Sequence, residues 1–209
     1  IHLMIHPRGP LGGRRGSVHC MYDPENGKLR SLNGKVLGPM GTVESFKKNL
    51  PKIFYQLVDF ELYDGQPYFL YKDQEGQMHF GYWGQGEWVE LPLAEGNMSG
   101  IGRDPVIHTS DGQNFKVFGI TDLAARDSGK HGGVIKLWES SDGGKTWNKG
   151  KLIAGREEFG HGFQAVNKVM QYSGSGPLFI ASEPTGGPYE HGRYDHYDHP
   201  ARRDKKLYA

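Results

Sequence analysis

The chain has 209 residues, and its 25 Lys and Arg nearly balance its 24 Asp and Glu, for a formal net charge of +1 at pH 7. This balance argues against nucleic acid as a partner, because nucleic-acid binding favours a strong positive field. No apolar run approaches the roughly 18 residues that suggest a membrane span, so no membrane partner is expected. The single cysteine, Cys20, excludes an internal disulfide and leaves the redox compartment open.

Glycine and proline set the expected fold class. The 32 Gly and 12 Pro leave little room for long helices, and aromatic residues at 12% supply volume for a core. The chain is long enough to bury a real core. It begins without Met or a signal peptide, directly in the strand-like "IHLMIHPRG", which suggests a processed product or a piece of a longer protein. We therefore expect an all-β chain.

The first two repeat-like units show strands punctuated by turns. Unit one runs from "IHLMIHPRG" through "GSVHCMY" to a turn at "DPENGKLR". Unit two begins at "FYQLVDFELY" and has turn signals at 64–65, 75–76 and 85–86, each ending in glycine. Glycine in such dipeptides supplies the positive φ that tight hairpins need. Unit two is therefore predicted to be a meander of three short strands.

The third unit contains a strand, "GGVIKLWES", followed by the turn "SSDGGKTW" at residues 140–147. Ile135 and Leu137 alternate with Lys136 in the pattern of a half-buried strand. An acid placed to accept turn N–H groups and a tryptophan folded back over the hairpin predict a self-contained plug. The turn resembles the Asp box, S-x-D-x-G-x-T-W, of sialidase-like β-propellers. "DPENGKLR" has the same spacing in degenerate form.

A fourth unit, "GFQAVNKVMQYSGSGPLFIASEP", ends in "KKLYA", which is expected to form an edge strand. Residues 185–204 are too polar for a core strand and are predicted to be a surface loop. The expected architecture is a β-propeller of four-stranded antiparallel blades. About four blades would lie within one domain, 1–209, and would form the C-terminal portion of a larger propeller.

The order of motifs over about the first 150 residues resembles the BNR-4 repeat family. That family has a strand ending in an arginine, a DGk turn, an NQ pair and a final G-x-W. Arg8 falls on the strand-end arginine, 33–35 on the DGk turn and Gln56 on the glutamine of NQ. Gly86 and Trp88 fall on G-x-W, while Pro7 and Tyr55 depart from the pattern. The family includes rhamnosidases and ulvan lyases, which are seven-bladed propellers that cleave a polysaccharide of sulfated rhamnose and uronic acid.

The resemblance implies a polysaccharide lyase that acts on an anionic, uronic-acid-containing polymer by β-elimination. Such chemistry needs a cation or amide to neutralise the uronate carboxylate, and groups that move protons. Arg8, at the end of a strand, is the candidate for the carboxylate. Tyr55, where the next blade begins, is the candidate for proton transfer, and the alternative is a core aromatic.

Further residues are candidates for substrate binding. Arg14 and Arg15 lie with His19 near Arg8 and would concentrate positive charge. The alternatives are a solvated surface pair for the two arginines and an ordinary strand residue for His19. The other candidates flank blade-initial strands: Lys52, Gln56, Arg103 and His108. For the last two, a turn arginine and a strand histidine are equally good alternatives. No cofactor is required, and a structural zinc or calcium ion stays open because no complete ligand set is visible. Partners would be the polysaccharide and upstream blades, and the substrate class implies a secreted or periplasmic protein.

Two other classes stay open. A glycoside hydrolase of the same architecture, a rhamnosidase or a sialidase-like enzyme, would release a reducing end. A non-catalytic carbohydrate-binding propeller would do no chemistry. A lyase alone creates an unsaturated, ultraviolet-absorbing uronate, so the product discriminates the three.

Overall fold

The computed structural model describes residues 1–5, 16–37, 50, 52–93, 105–121, 133–155, 165–168, 179–182 and 207–208. Throughout these ranges the chain forms antiparallel strands and no helix. It divides into two compact units, Ile1–Leu93 and Ala94–Ala209. Residues 185–204, the predicted surface loop, lie outside the described ranges. No helix long and apolar enough for a membrane crossing occurs in the described ranges.

The first unit contains two sheets whose strands pair in chain order. The three strands of the first sheet are β1 (His2–Ile5), β2 (Val18–Asp23) and β3 (Lys28–Arg30). The four strands of the second sheet are β4 (Gln56–Tyr63), β5 (Gln66–Lys72), β6 (Met78–Gly84) and β7 (Glu87–Pro92). All of these pairs are antiparallel, as neighbouring hairpin strands must be.

The turns of the second sheet are where the glycine dipeptides predict them. Asp64 and Gly65 have φ of 48° and 74°, and Gln85 and Gly86 have φ of 53° and 85°. Two consecutive positive φ angles are typical of the type I′ turn that matches strand twist. Three turns separate four strands, so the predicted meander is correct but the prediction of three strands is wrong. The run "EWVELP", which follows the last of these turns, forms the fourth strand.

Alternating hairpins divide the loops of this sheet between its two ends. The β4–β5 and β6–β7 turns lie at one end, while the β5–β6 turn and the chain entering β4 lie at the other. At that second end the first sheet is joined through a bridge between Ser17 and Phe54. The Phe54 amide donates to the Ser17 carbonyl at 2.9 Å, and the Gly16 amide to the Tyr55 carbonyl at 3.2 Å.

Aromatic side chains form the core of the first unit. Phe54, Leu57, Phe69 and Tyr71 are buried together, and the half-buried Trp88 packs against them. The ring of Trp88 lies over Gly81, where a Cβ would come within 2.6 Å of it. Any side chain at this glycine would therefore displace the indole.

The second unit also contains two sheets. The strands of the first are β8 (Val106–Thr109), β9 (Phe115–Thr121), β10 (Val134–Ser140) and β11 (Lys151–Ala154). Those of the second are β12 (Ala165–Lys168), β13 (Phe179–Ser182) and β14 (Leu207–Tyr208). The pairing of β14 at the edge beside β13 confirms that the terminal "KKLYA" supplies an edge strand. The core includes Phe118, Ile120, Ile135 and Val166.

The turn 140–147 joins β10 to β11 and closes on itself as predicted. Asp142 accepts from the Thr146 amide at 2.9 Å and from the Thr146 hydroxyl at 2.6 Å. The Gly144 amide donates to Ser140 Oγ at 2.9 Å. The Trp147 indole N–H donates to the Gly144 carbonyl at 2.8 Å, and its side chain is buried. These bonds lie within 140–147, whereas the Gly143 amide donates to the Gln113 carbonyl, between β8 and β9, at 3.0 Å. The turn therefore stabilises its own hairpin and is also joined to the neighbouring one.

A turn of the same kind joins β8 to β9 and was not predicted. Asp111 accepts from the Gln113 and Asn114 amides at 2.9 and 2.7 Å, and Thr109 Oγ1 accepts from the Gly112 amide at 3.0 Å. In "DPENGKLR", Asp23 accepts from two backbone amides in the same way. Sheets of three or four antiparallel strands that pair in chain order confirm the all-β class and its propeller-blade organisation.

Candidate functional site

A cavity of about 720 Å³ opens at the end of the second sheet where the chain enters β4. That volume is typical of small-molecule pockets. Its walls come from the segment before β4, the end of β5 with the following turn, and single positions on β6 and β7. The lining residues are Gly16, Lys52, Ile53, Phe54, Tyr55, Tyr71, Lys72, Asp73, Gln74, Glu75, His79 and Glu90. All of them belong to the first compact unit.

The segment before β4 is fixed by one buried residue. Phe54 is 1% exposed, and its ring packs on Phe69 and Tyr71 at centroid distances of 5.5 and 5.0 Å. Because Phe54 is anchored, its neighbours Lys52 and Tyr55 are held at the cavity wall, where both are half-buried. The sequence therefore supplies one core residue to position two polar ones.

Three charged side chains and one histidine form a continuous chain of contacts along the wall. His79 Nε2 lies 2.9 Å from Asp73 Oδ2, and His79 Nδ1 lies 3.0 Å from Glu90 Oε1. The Lys52 ammonium donates to Glu90 Oε2 at 2.8 Å. The order Asp73, His79, Glu90, Lys52 thus links the β5–β6 turn, β6, β7 and the segment before β4.

The imidazole of His79 has both nitrogens committed to carboxylates. A neutral imidazole donates at one nitrogen only, whereas a protonated imidazole donates at both. Neither nitrogen is left to face the cavity as a base. His79 is therefore a bridge between Asp73 and Glu90 and is not available for proton transfer in this arrangement.

These contacts lower the pKa values of both carboxylates. Partial burial acts to raise the pKa of Glu90, but the hydrogen bond and charge of Lys52 outweigh it, so that this pKa lies below its usual range. For Asp73 burial also acts upward, while the bonds from His79 and the Gln77 amide bring the pKa below its ordinary value. Both carboxylates are consequently ionised at neutral pH.

Tyr71 forms the aromatic floor beneath this chain. Its ring stacks on His79 at 5.3 Å, and Lys52 Nζ lies 5.2 Å from its centroid and 5.6 Å from that of Trp88. These distances are typical of cation–π contacts. Burial, and then the nearby Glu90 carboxylate, raise the pKa of Tyr71, so its phenol stays neutral. Among the described residues, its hydroxyl has no partner with hydrogen-bond geometry.

The described lining therefore offers specific chemistry. Lys52 gives one of its three N–H donors to Glu90, so the others can bind an anionic oxygen. Tyr55 supplies a phenol at the same cavity. The lining contains two ammonium groups, those of Lys52 and Lys72, and three carboxylates, those of Asp73, Glu75 and Glu90. The described part of the wall is thus not a uniformly positive surface.

The sequence-predicted site residues are only partly brought together. Lys52 and Tyr55 line the cavity, whereas Gln56 begins β4 opposite Lys72 and does not line it. His108 lies on β8 in the second unit, paired with Lys116. The predicted arginines lie outside the described residues: Arg8, Arg14, Arg15 and Arg103. Their roles stay predictions.

His19 does not supply the positive charge that the sequence suggested. Its side chain is 2% exposed and packs against Phe60 and Phe69 at 5.4 and 4.9 Å. Its Nε2 lies 3.0 Å from His2 Nδ1. Burial, and secondly the charge that His2 can carry, lower the pKa of His19 to about 3. The imidazole is therefore neutral at physiological pH and lies within the packed interior of the unit.

Sequence reasoning missed Tyr71, His79, Asp73 and Glu90. The strand register could have indicated them. Counting outward from the turns at 75–76 and 85–86 pairs Tyr71 with His79 and Gly81 with Glu90. Within the described ranges no three His, Cys, Asp or Glu side chains converge as a metal site. The structural zinc or calcium ion thus stays a prediction without a described ligand set.

The chain resembles solved structures of carbohydrate-active enzymes. An ulvan lyase of polysaccharide lyase family PL25 matches with a TM-score of 0.56 and 14% identity, over 82% of this chain and 40% of that one. A second structure, bound to -[GlcA(1-4)Rha3S]-, matches with a TM-score of 0.54 and 15% identity over the same shares. The intramolecular trans-sialidase from Ruminococcus gnavus, in complex with oseltamivir carboxylate, has a TM-score of 0.42 and 20% identity, over 81% of this chain and 33% of that one.

These likenesses concern the fold. No protein-family model and no curated protein matches the sequence, so the BNR-4 resemblance stays a prediction. The chain spans 40% of the length of the lyase chains it matches. Its strands thus follow an architecture on which polysaccharide lyases are built.

Proposed function

We propose that the protein is a polysaccharide lyase that cleaves an anionic, uronic-acid-containing polymer by β-elimination. The observation that carries the proposal is the meeting of Lys52 and Tyr55 at one cavity, in a fold similar to that of an ulvan lyase. A lyase of this kind requires a cation at the uronate carboxylate and a proton donor at the glycosidic oxygen. These two residues offer both functions.

In the proposed reaction a base removes the C5 proton of the uronate, and the C4–O4 bond breaks as the C4–C5 double bond forms. Negative charge grows on the carboxylate as the proton leaves, so Lys52 stabilises the transition state more than the bound substrate. Tyr55 donates its proton to the departing O4. The predicted role of Arg8 is to bind the same carboxylate, and the general base belongs to further blades, which the protein would need because this chain spans 40% of the similar lyases.

The substrate class also sets the expected setting and partners. A polymer of uronic acid lies outside cells, so we propose that the protein is secreted or periplasmic. Arg14 and Arg15 are proposed to add positive charge, since they directly precede Gly16, which lines the cavity. Binding would then weaken with added salt, as contacts between exposed charges do.

A glycoside hydrolase is the second candidate, favoured by one observation. Asp73 and Glu90 present two carboxylates across His79, and pairs of carboxylates hydrolyse glycosidic bonds. Both are, however, engaged in ion pairs and have pKa values below the usual range, which does not suit a general acid. The lyase is therefore the better supported proposal.

The test is the product formed from a uronate polymer by the purified protein. A lyase generates an unsaturated uronate that absorbs in the ultraviolet, and Lys52→Met should lower the rate roughly 100-fold, since removing one oxyanion-stabilising donor typically costs that much. Lys28→Met, on β3 and outside the cavity lining, is the matched control. New reducing ends without ultraviolet absorbance would establish hydrolysis and contradict the proposal. Binding without any product would indicate a carbohydrate-binding propeller.

A further inference from the structure

The ammonium of Lys52 has defined partners at the cavity wall. It donates to Glu90 Oε2 at 2.8 Å, and it lies 5.2 Å from the ring centroid of Tyr71 and 5.6 Å from that of Trp88. A lysine ammonium is a compact charge at the end of a flexible four-carbon stem, so its place depends on such contacts. The carboxylate of Glu90 is the partner that takes one of its N–H donors and leaves the others for a ligand.

Glu90 is itself held by a second contact. Its Oε1 lies 3.0 Å from His79 Nδ1, while its Oε2 accepts from Lys52. His79 is fixed in turn, because its Nε2 lies 2.9 Å from Asp73 Oδ2 and its ring stacks on Tyr71. Both oxygens of the Glu90 carboxylate are therefore committed, and the orientation of that carboxylate follows from β6 and the β5–β6 turn.

These contacts matter more for geometry than for stability. The side chains of Glu90 and Lys52 are 37% and 29% exposed. Ion pairs with that much access to solvent contribute little to folding, because water and salt screen them. A cation that is already in place when negative charge develops needs no reorganisation during the reaction, which is how fixed charges stabilise a transition state.

We propose that Glu90 is a positioning residue that holds the Lys52 ammonium at the cavity wall, and that His79 holds Glu90 in turn. This inference rests on the proposed function, in which Lys52 binds the uronate carboxylate. Glu90 acts through Lys52 and does not contact the substrate. A purely electrostatic role would have the opposite sign, because a carboxylate beside the site repels an anionic ligand and its removal would speed the reaction.

Two variants of similar size separate these roles. Glu90→Gln removes the charge, but its amide oxygen can still accept from Lys52 and its amide N–H can donate to an unprotonated His79 Nδ1. Glu90→Leu offers no acceptor. We expect kcat/KM for the ultraviolet-absorbing product to fall about ten-fold in Glu90→Leu, since small misplacements of a reacting group are costly, and to stay within about three-fold in Glu90→Gln. Thermal unfolding should be nearly unchanged in both.

Glu87→Leu is the matched control. Glu87 is an exposed residue of the same strand, β7, and does not line the cavity. The same substitution at this position should leave the rate unchanged. A loss in Glu90→Leu alone would therefore belong to the contact with Lys52 and His79.

The decisive comparison repeats Glu90→Leu in a Lys52→Met background. With no ammonium left to position, the substitution should change the rate by less than about two-fold, because residues that act through one another are not additive. An equal loss in both backgrounds would show that Glu90 acts independently of Lys52 and would overturn the inference. Equal losses in Glu90→Gln and Glu90→Leu, or a rate that rises in both, would also overturn it.

Calorimetric titration with a glucuronate-containing oligosaccharide separates this inference from the proposed function. Affinity should follow the same order of variants and the same dependence on Lys52. That pattern in binding without an ultraviolet-absorbing product would support the positioning role and contradict β-elimination. Product formation without coupling between the two residues would overturn the positioning role alone. Failure of the unmodified protein to bind or react would overturn both.

Discussion

Trp147 is the residue whose loss should test the account of the Asp-box turn most sharply. Its side chain is 9% exposed, it packs 6.4 Å from Phe115, and its indole N–H donates to the Gly144 carbonyl at 2.8 Å. Trp147→Ala removes both the packed ring and the hydrogen bond. Trp147→Phe removes the donor but keeps a smaller aromatic ring in the same place.

The expected magnitudes follow from these contacts. Truncation of a buried tryptophan to alanine costs about 3–5 kcal/mol in the free energy of unfolding. Loss of the hydrogen bond alone costs roughly 0.5–1.5 kcal/mol, with some further loss from the smaller ring. We therefore expect Trp147→Ala to be at least twice as destabilising as Trp147→Phe. In a domain of 150–250 residues each kcal/mol lowers Tm by roughly 2–4 °C.

Chemical denaturation monitored by circular dichroism measures the difference. Lys145→Ala, in the same turn and exposed, is the control and should change the free energy of unfolding by less than about 0.5 kcal/mol. Because the turn does not line the cavity, activity per folded molecule should be unchanged in all three variants. A loss below about 1 kcal/mol for Trp147→Ala would refute the interpretation of the turn as a stabilising plug.

Two further predictions concern stability. The Thr146 hydroxyl holds the pKa of Asp142 at about 2, and the Asn114 amide does the same for Asp111, against an ordinary value of 3.8. The ionised carboxylates therefore stabilise the folded state above about pH 4, and this stabilisation is lost as pH falls through 2. In acid-unfolding curves the destabilisation caused by Asp142→Asn should shrink over that range. A destabilisation that stays constant with pH would contradict this. Gly81→Ala should lower the free energy of unfolding by roughly 1–3 kcal/mol through displacement of Trp88, whereas Gly27→Ala, with nothing near its Cβ position, isolates the separate cost of a positive φ.

Local chemistry explains why much of the fold was predictable. The dipeptides at 64–65 and 85–86 favour the two consecutive positive φ angles of a type I′ hairpin turn, and the strands between them follow. The spacing within 140–147 is likewise sufficient, since the bonds of Ser140, Asp142 and Trp147 are made inside the turn, while the Gly143 amide donates outside it, to the Gln113 carbonyl. The turn containing Asp111 was missed because it is one residue shorter than the Asp box: Asp111 is bonded to Asn114 three residues later, whereas Asp142 is bonded to Thr146 four residues later.

The candidate site was only partly predictable because it depends on contacts between strands. Lys52 and Tyr55 were found from their position before a blade-initial strand, which is a local feature. The meeting of His79 with Glu90 depends on the register of β6 and β7, and no short motif contains both. The burial of His19 was missed for a similar reason, since the aromatic rings that cover it belong to another sheet.

The most direct test of the central claim is the rate at which Tyr55→Phe forms the unsaturated, ultraviolet-absorbing product from a uronate polymer. The substitution keeps the ring and removes only the hydroxyl, so a proton donor at this position predicts a loss of about 100-fold or more with unchanged folding. Tyr63→Phe, at an exposed residue of β4 outside the cavity, is the control and should keep a rate within about two-fold of the unmodified protein. Retention of the full rate by Tyr55→Phe would contradict the assignment of β-elimination to this cavity.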